Sequence, residues 1–368
     1  MSAKGVIFAG GGTGGHIYPS IAIAEHLQHH QPGMHISVIC STRSIDQRVL
    51  DGSGLDFDTV PAQPFGVSPK VLVRFAATWP GVVRACRRAM RACFDEWSIG
   101  ADECVLVAMG GFVSPPAVWA ARSLGVRRVL VNLDAVPGRA NRFLAPRVDR
   151  VFSTYAFAGA TRVGPIVRSA ARVAASAAEC RERLGLDPAM RTLLVTGASQ
   201  GARSINEFVL GLCAQHPEMF EGWQILHQAG EDQHEEVEGR YRALSVSARV
   251  VGLVDEVGLM WGACDAALSR AGAGSVAEVW INRIPTIFMP YPYHRDAHQK
   301  HNVQPLVDSE GAILIEDLID ADANVRAHGA IVGRLLSDDA LRQGLRQQLA
   351  QVGAGDGADE IAIALQNL

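Results

Sequence analysis

Residues 10–16 read Gly-Gly-Gly-Thr-Gly-Gly-His, directly behind the apolar run at 6–9. Glycine loses more backbone freedom on ordering than any other residue, so such a cluster implies that the backbone itself approaches something closely. A glycine turn feeding a helix N-terminus presents unpaired N–H groups and the positive end of the helix dipole, which is the chemistry of a diphosphate or other anion site. His16 closes the run. An imidazole there suits proton abstraction, or it orients the anion instead. Gly197-Ala198-Ser199-Gln200-Gly201 offers the same device with a hydroxyl added. The plainer reading of both loops is a tight strand-to-helix turn.

The common nucleotide signatures fail in detail. Gly10, Gly12 and Gly15 satisfy GxGxxG, but the second strand ends in Cys40-Ser41-Thr42 with no acid before Asp46 to take a ribose. The loop also lacks the Gly-Lys-Ser/Thr ending of a P-loop. A third polar stretch, 269–302, carries Glu278, whose carboxylate either accepts from both hydroxyls of a ribose or closes a capping box with Ser275. Farther on, His294, His298 and His301 lack HExxH spacing and read as surface histidines rather than ligands, while Gln299 has an amide suited to sugar hydroxyls.

Positioning these groups takes strands and helices in alternation. Strands are expected at 6–9, 35–40, 57–60, 104–109, 129–133 and 151–154, and again at 193–196, 223–227, 250–254, 266–269, 286–289 and 312–315. Helical patterns such as 19–29 and 114–124 lie between them. The rhythm implies an α/β fold with two Rossmann-like, doubly wound domains facing a cleft. The expected division is 1–160, a linker at 161–190, and 191–368, the last helix being a candidate to pack back on the first domain. At 368 residues, 48% hydrophobic and 20% charged, the chain suits two soluble cores. A net charge of −4 gives no reason to expect nucleic acid. Seven scattered cysteines without a CxxC pair fit a reducing compartment, and no apolar run reaches the roughly 18 residues of a membrane span.

Between 79 and 97, Trp79, Val83, Cys86, Met90, Cys93 and Trp97 recur at helical spacing, with Arg84, Arg87, Arg88 and Arg91 on another face. Arginines beside exposed apolar residues fit anionic lipid headgroups; the alternative is a core helix with a solvated basic face.

GGTGGH (11–16), NRFLA (141–145), GASQGARSIN (197–206), SRAGAGSVAE (269–278) and DAHQKHN (296–302) together resemble the peptidoglycan N-acetylglucosaminyltransferases of glycosyltransferase family 28, over essentially the whole chain. The resemblance implies the GT-B fold, UDP-GlcNAc as donor, and lipid I as the acceptor converted to lipid II. It implies a peripheral enzyme on the cytoplasmic face of the inner membrane, with Trp79 and the four arginines towards acceptor and lipid. His16 would be the catalytic base. Thr13, Gly14 and Gly15 would face the donor's diphosphate and sugar, and Ser199, Gln200 and Gly201 would hold phosphate, with Arg168 beside the donor. Val254 and the turn through Ala273, Gly274, Ser275, Val276, Ala277 and Glu278 would contain the uridine, and Gln299 would contact GlcNAc. Asn141 lies in the family's NRFLA segment. Where the family has His-Glu-Gln-Asn, this chain has Val131-Asn132-Leu133-Asp134, so Asp134 replaces a donor-contacting amide and Asn132 removes a carboxylate from the cleft. Asp56–Asp58 and Asp320–Asp322 have DxD spacing but read as a strand flank and a helix start, so neither metal nor cofactor is expected. Other readings are a related transferase with another sugar or acceptor, a UDP-GlcNAc 2-epimerase, and a UDP-GlcNAc-binding protein without turnover.

Overall fold

The computed structural model describes residues 3–12, 14–64, 69–198, 201–252, 254, 256–293, 297–353 and 355–368, and at 14 and 69–72 it describes the backbone alone. The chain divides into two compact units, Met1–Arg168 with Gly355–Leu368, and Ser169–Ala354.

In the first unit the strands are β1 (Gly5–Ala9), β2 (His35–Ser41), β3 (Asp56–Val60), β4 (Cys104–Ala108), β5 (Arg127–Asn132), β6 (Arg150–Ser153) and β7 (Thr161–Arg162). They form one parallel sheet in the order β3-β2-β1-β4-β5-β6-β7. The helices are α1 (Gly14–His30), α2 (Ser44–Asp51), α3 (Pro69–Trp97), α4 (Ser114–Leu124) and α5 (Arg139–Leu144). β1 explains why its run is apolar throughout: Val6 and Phe8 enter one core with Val105 and Val107, while Ile7 and Ala9 enter the other with Leu106 and Ala108. A central strand covered on both faces has no solvent side to encode.

α3 corrects one expectation. Cys86, Met90 and Cys93 are buried against the sheet, so much of the apolar stripe is core rather than an exposed face. Arg84, Arg88 and Arg91 are exposed, and half-buried Arg87 donates from Nε to Ser123 Oγ at 3.0 Å. Trp79 stands at the end of the stripe in an aromatic chain, 5.3 Å from Phe75 and 5.9 Å from Trp119, which stacks on Phe143.

The second unit holds β8 (Arg191–Thr196), β9 (Trp223–Gln228), β10 (Ala248–Val251), β11 (Ala266–Ser269), β12 (Thr286–Phe288) and β13 (Ile313–Leu314), parallel in the order β10-β9-β8-β11-β12-β13. Its helices are α6 (Ala177–Arg183), α7 (Arg203–Gln215), α8 (His234–Ala243), α9 (Val257–Ala263), α10 (Ala273–Asn282), α11 (His298–Asp308), α12 (Ala321–Ser337) and α13 (Asp339–Gln351). Leu193, Val195 and Leu268 pack with Phe208 and Leu335 on one face, and Leu194, Ala267 and Phe288 pack with Trp261 and Val279 on the other.

The last helix, α14 (Gly357–Gln366), belongs to the first unit. Ala358, Ile361, Ala362 and Leu365 repeat at i, i+3, i+4 and i+7 and join Ile17, Ile21 and Ala24 of α1 in the core. Asp356 caps it, accepting from the N–H groups of Ala358 and Asp359. The stretch 161–190, expected as a linker, contains β7 of the first sheet and α6 of the second unit.

In both sheets the strand order reverses direction beside the first strand, between β1 and β4 and between β8 and β11. Doubly wound sheets bind ligands at the carboxyl ends of the strands at such a reversal, because the flanking loops part there. Among the described residues no helix is long and apolar enough to cross a membrane.

Candidate functional site

In the first unit the loops following β1 and β4 meet around His16. Gly12 has φ +99°, and a Cβ there would lie 2.2 Å from Phe112 Cε1, so the turn admits only glycine. α2 holds it in place. Asp46, fully buried, accepts through Oδ2 from Gly12 N (2.7 Å) and Ser41 Oγ (2.5 Å), and Arg43 Nη1 donates to Gly12 O at 2.6 Å. From the β4 side, Ser114 Oγ lies 2.8 Å from Ala9 O and accepts from Gly110 N at 2.9 Å.

The imidazole lies against the Gly110-Gly111 pair. A Cβ on Gly111 would come 3.0 Å from His16 Cδ2, and one on Gly110 would come 3.3 Å from His16 Cε1 and 2.9 Å from Asn141 Oδ1. His16 Nδ1 is buried with no hydrogen-bond partner among the described residues. Burial pushes the His16 pKa below its ordinary value; the carboxylates of Asp134 and Asp46 and the Met109 backbone oppose this more weakly. The ring is therefore neutral at pH 7 and can accept a proton.

Asn132 corrects a second expectation. It does not line an open cleft; it is fully buried, donating from Nδ2 to Ser153 Oγ (3.0 Å) and Asp134 O (2.7 Å) and accepting from Asn141 Nδ2 at 2.9 Å. An amide fills this position because it donates and accepts at once. It ties half-buried Asp134 to Asn141 on α5. Gly15 is exposed in the first turn of α1, and the Arg168 guanidinium stacks 4.3 Å from the centre of the Tyr18 ring on the same helix. Gly14 opens α1, while Thr13 lies outside the described residues.

In the second unit the loop following β8 turns at Gly201 (φ +69°), where a Cβ would lie 2.1 Å from Ala229 O. Thr196 Oγ1 accepts from Ala198 N at 3.0 Å and donates to Gln228 at 2.7 Å. Ser199 and Gln200 lie outside the described residues. The first turns of α7 and α10 flank the β8/β11 reversal, and neither is capped by a side-chain hydrogen bond from its N-cap residue, Ala202 or Gly272. Backbone N–H groups at such turns are the usual donors to phosphate.

This settles the choice at Glu278 against the capping box. Ser275 sits inside the first turn of α10, and Glu278 Oε2 accepts from Trp261 Nε1 at 3.0 Å. Ala273, Gly274 and Ser275 form that turn, whereas the side chains of Val276 and Ala277 are buried. Val254 is half-buried beyond the end of β10, and Gln299 Oε1 accepts from Tyr291 N at 2.9 Å. His294 and Asp296 lie outside the described residues; His298 and His301 join no metal-ligating group among those described. Asp56 and Asp58 lie within β3, and Asp320 caps α12.

Sequence reading passed over the group that holds the second unit's loops together. Arg270 and Asp317 are buried and paired at 2.8 Å. Arg270 also donates to Met289 O and Ser204 Oγ, both at 2.8 Å, and Ser204 donates to Asp317 at 2.6 Å. Burial would raise the Asp317 carboxyl, but Ser204, the Ile319 amide and Arg270 outweigh it and hold it low. Four segments at the carboxyl edge of the sheet thus meet in one network. A strand-terminal Ser-Arg was its only sequence signal.

Residues 6–153 match the glycosyltransferase family 28 N-terminal domain, and residues 192–320 match the family's C-terminal domain. A protein of Clavibacter sepedonicus named UDP-N-acetylglucosamine--N-acetylmuramyl-(pentapeptide) pyrophosphoryl-undecaprenol N-acetylglucosamine transferase is 35% identical, over 97% of this chain and 94% of its own length. One of the same name from Acidothermus cellulolyticus is 35% identical over 97% and 96%. Among solved structures the chain is similar to MurG of Acinetobacter baumannii, with a TM-score of 0.73 and 21% identity over the full length of both chains.

Proposed function

The chain belongs to glycosyltransferase family 28, and from that premise we infer that it transfers GlcNAc from UDP-GlcNAc to the 4-hydroxyl of MurNAc in lipid I, forming the lipid II used in peptidoglycan synthesis. The observation that carries this reading is the 35% identity to transferases of that name over 97% of the chain.

The acceptor oxygen attacks C1 of the donor sugar, the bond from C1 to the UDP oxygen breaks with its electron pair leaving on UDP, and the anomeric centre inverts. The hydroxyl proton goes to His16, which burial keeps neutral and ready to accept it. Charge growing on UDP is met by the first turns of α7 and α10, an electrostatic role that asks for no cation. Glu278, whose Oε2 is held by Trp261 Nε1 at 3.0 Å, accepts from the ribose. Gln299 contacts the sugar. On the acceptor side, Arg84, Arg88 and Arg91 are exposed, as are Val73 and Phe143 at 71% and 45%. This combination supports peripheral attachment to an anionic inner-membrane face.

The test is transfer of radiolabelled GlcNAc from UDP-GlcNAc to a short-chain lipid I analogue, with EDTA present and UDP-GalNAc competing. Efficient, EDTA-resistant transfer selective for GlcNAc is expected. UDP release only when the lipid acceptor is present would exclude an epimerase, and binding without turnover would leave a binding protein.

A further inference from the structure

We propose that His26, His30 and Asp359 form a site for a divalent transition cation of the zinc type, at the seam where α14 lies along α1. His26 and His30 are four residues apart on α1 and therefore share one face. α14 brings Asp359 to both: its Oδ1 is 3.2 Å from His26 Nδ1 and 2.5 Å from His30 Nε2. One ligand atom from each of the three lies within 4.8 Å of the others. Tetrahedral zinc, with bonds of about 2.0–2.2 Å, separates neighbouring ligand atoms by roughly 3.3 Å. The His26–Asp359 spacing already has that value, and the His30–Asp359 contact opens by less than 1 Å to match it.

The surroundings also fit. The second nitrogen of His26, Nε2, lies 3.2 Å from Asp356 Oδ2. A carboxylate on the non-ligating nitrogen is the usual device for fixing a metal-bound imidazole in orientation and tautomer. Asp356 is itself anchored, since its Oδ1 accepts from Ala358 N at 3.1 Å as the cap of α14. The histidines sit at the C-terminal end of α1, where the helix dipole favours a cation. Side-chain exposures of 22–34% leave the fourth position to water. Two imidazoles and a carboxylate select zinc-like cations over magnesium or calcium. At about 1.5 Å rise per residue, His26 and His30 lie roughly 15–21 Å along α1 from His16, so the cation fastens α14 and takes no part in transfer.

The test titrates the untagged full chain with Zn²⁺ alone against a chromophoric chelator at pH 7.5. One saturable equivalent with a micromolar or tighter Kd is expected, together with a raised Tm. His30→Ala and Asp359→Asn should each weaken it at least tenfold, while His298→Ala with His301→Ala should leave it unchanged. Cobalt(II) in place of zinc should give visible bands without a sulfur charge-transfer band. Absence of a saturable equivalent, unaltered binding by a His26→Ala, His30→Ala double variant, or a sulfur charge-transfer band would each overturn the assignment.

Discussion

At the reversal point of the first sheet the ionisable group is His16, pressed against two glycines with one ring nitrogen lacking a partner among the described residues. At the same point of the second sheet it is Arg270, paired with Asp317 and bonded to a carbonyl and a hydroxyl besides. The histidines repeat the contrast. His227 in β9 is fully buried like a core residue, but both its nitrogens are occupied, Nδ1 by Tyr241 Oη at 2.7 Å and Nε2 by Asn206 Oδ1 at 3.0 Å. One topology therefore supports two kinds of site. Side chains brace the first around an imidazole whose Nδ1 has no partner among the described residues; the second satisfies its charges internally and leaves two helix starts without a side-chain cap from the N-cap residue.

The sharpest way to break this comparison is His16→Ala. It should lower kcat by about 10²–10⁴-fold, as expected for loss of a general base, with UDP-GlcNAc affinity unchanged in equilibrium binding. A parallel fall in donor affinity would assign His16 to the diphosphate instead. Next comes Asp317→Ala, which leaves Arg270 buried and unpaired. It should cost about 3–5 kcal/mol in urea unfolding and weaken UDP-GlcNAc binding, because four loop segments lose their tie.

How far these sites were legible in the sequence follows from the same contrast. Most strand positions could be read because each sheet is covered on both faces: β1 and β4 are apolar throughout, β8 is apolar over 193–195, and a glycine follows each within two residues (Gly10, Gly110 and Gly197). The two-residue β7 carries no such signal, and no periodicity marks it. His16 was visible because chemistry and glycine cluster together in sequence. Arg270, Asp317 and Ser204 were not, since three residues from distant segments become one group only when the sheet brings their loops to one edge. Asn132 shows the opposite case: the apolar run marks its strand position, but its hydrogen bonds to Asp134, Asn141 and Ser153 leave no mark in the sequence. The capping box at Ser275–Glu278 failed because the helix begins at Ala273, two residues ahead of the hydroxyl.

Smaller effects sharpen the contrast. Burial holds His227 down to about 3, against an ordinary 6.5. Its folded pKa lies below the unfolded one, so its contribution to stability is full above pH 6.5 and is lost as pH falls towards 3. Between pH 7 and pH 5 that loss is about 2 kcal/mol, readable as a drop in urea midpoint that His227→Gln removes. Glu278→Gln should weaken UDP binding by roughly tenfold, about 1.4 kcal/mol, with little change in kcat. Smallest is Asp134→Asn. Removing that carboxylate takes away a contribution that raises the His16 pKa, so the acid limb of the kcat profile should move to lower pH. An unmoved acid limb would mean that the two groups do not interact.

The first unit is closed by a helix encoded at the far end of the chain. Ala358, Ile361, Ala362 and Leu365 fill a core whose other members lie before residue 167, so the whole of Ser169–Ala354 is an insertion within that unit. During synthesis the second unit can fold as soon as its own residues have left the ribosome, whereas the first must wait with an apolar face uncovered. A premature stop near residue 355 would therefore damage the domain that was made first and spare the one made last.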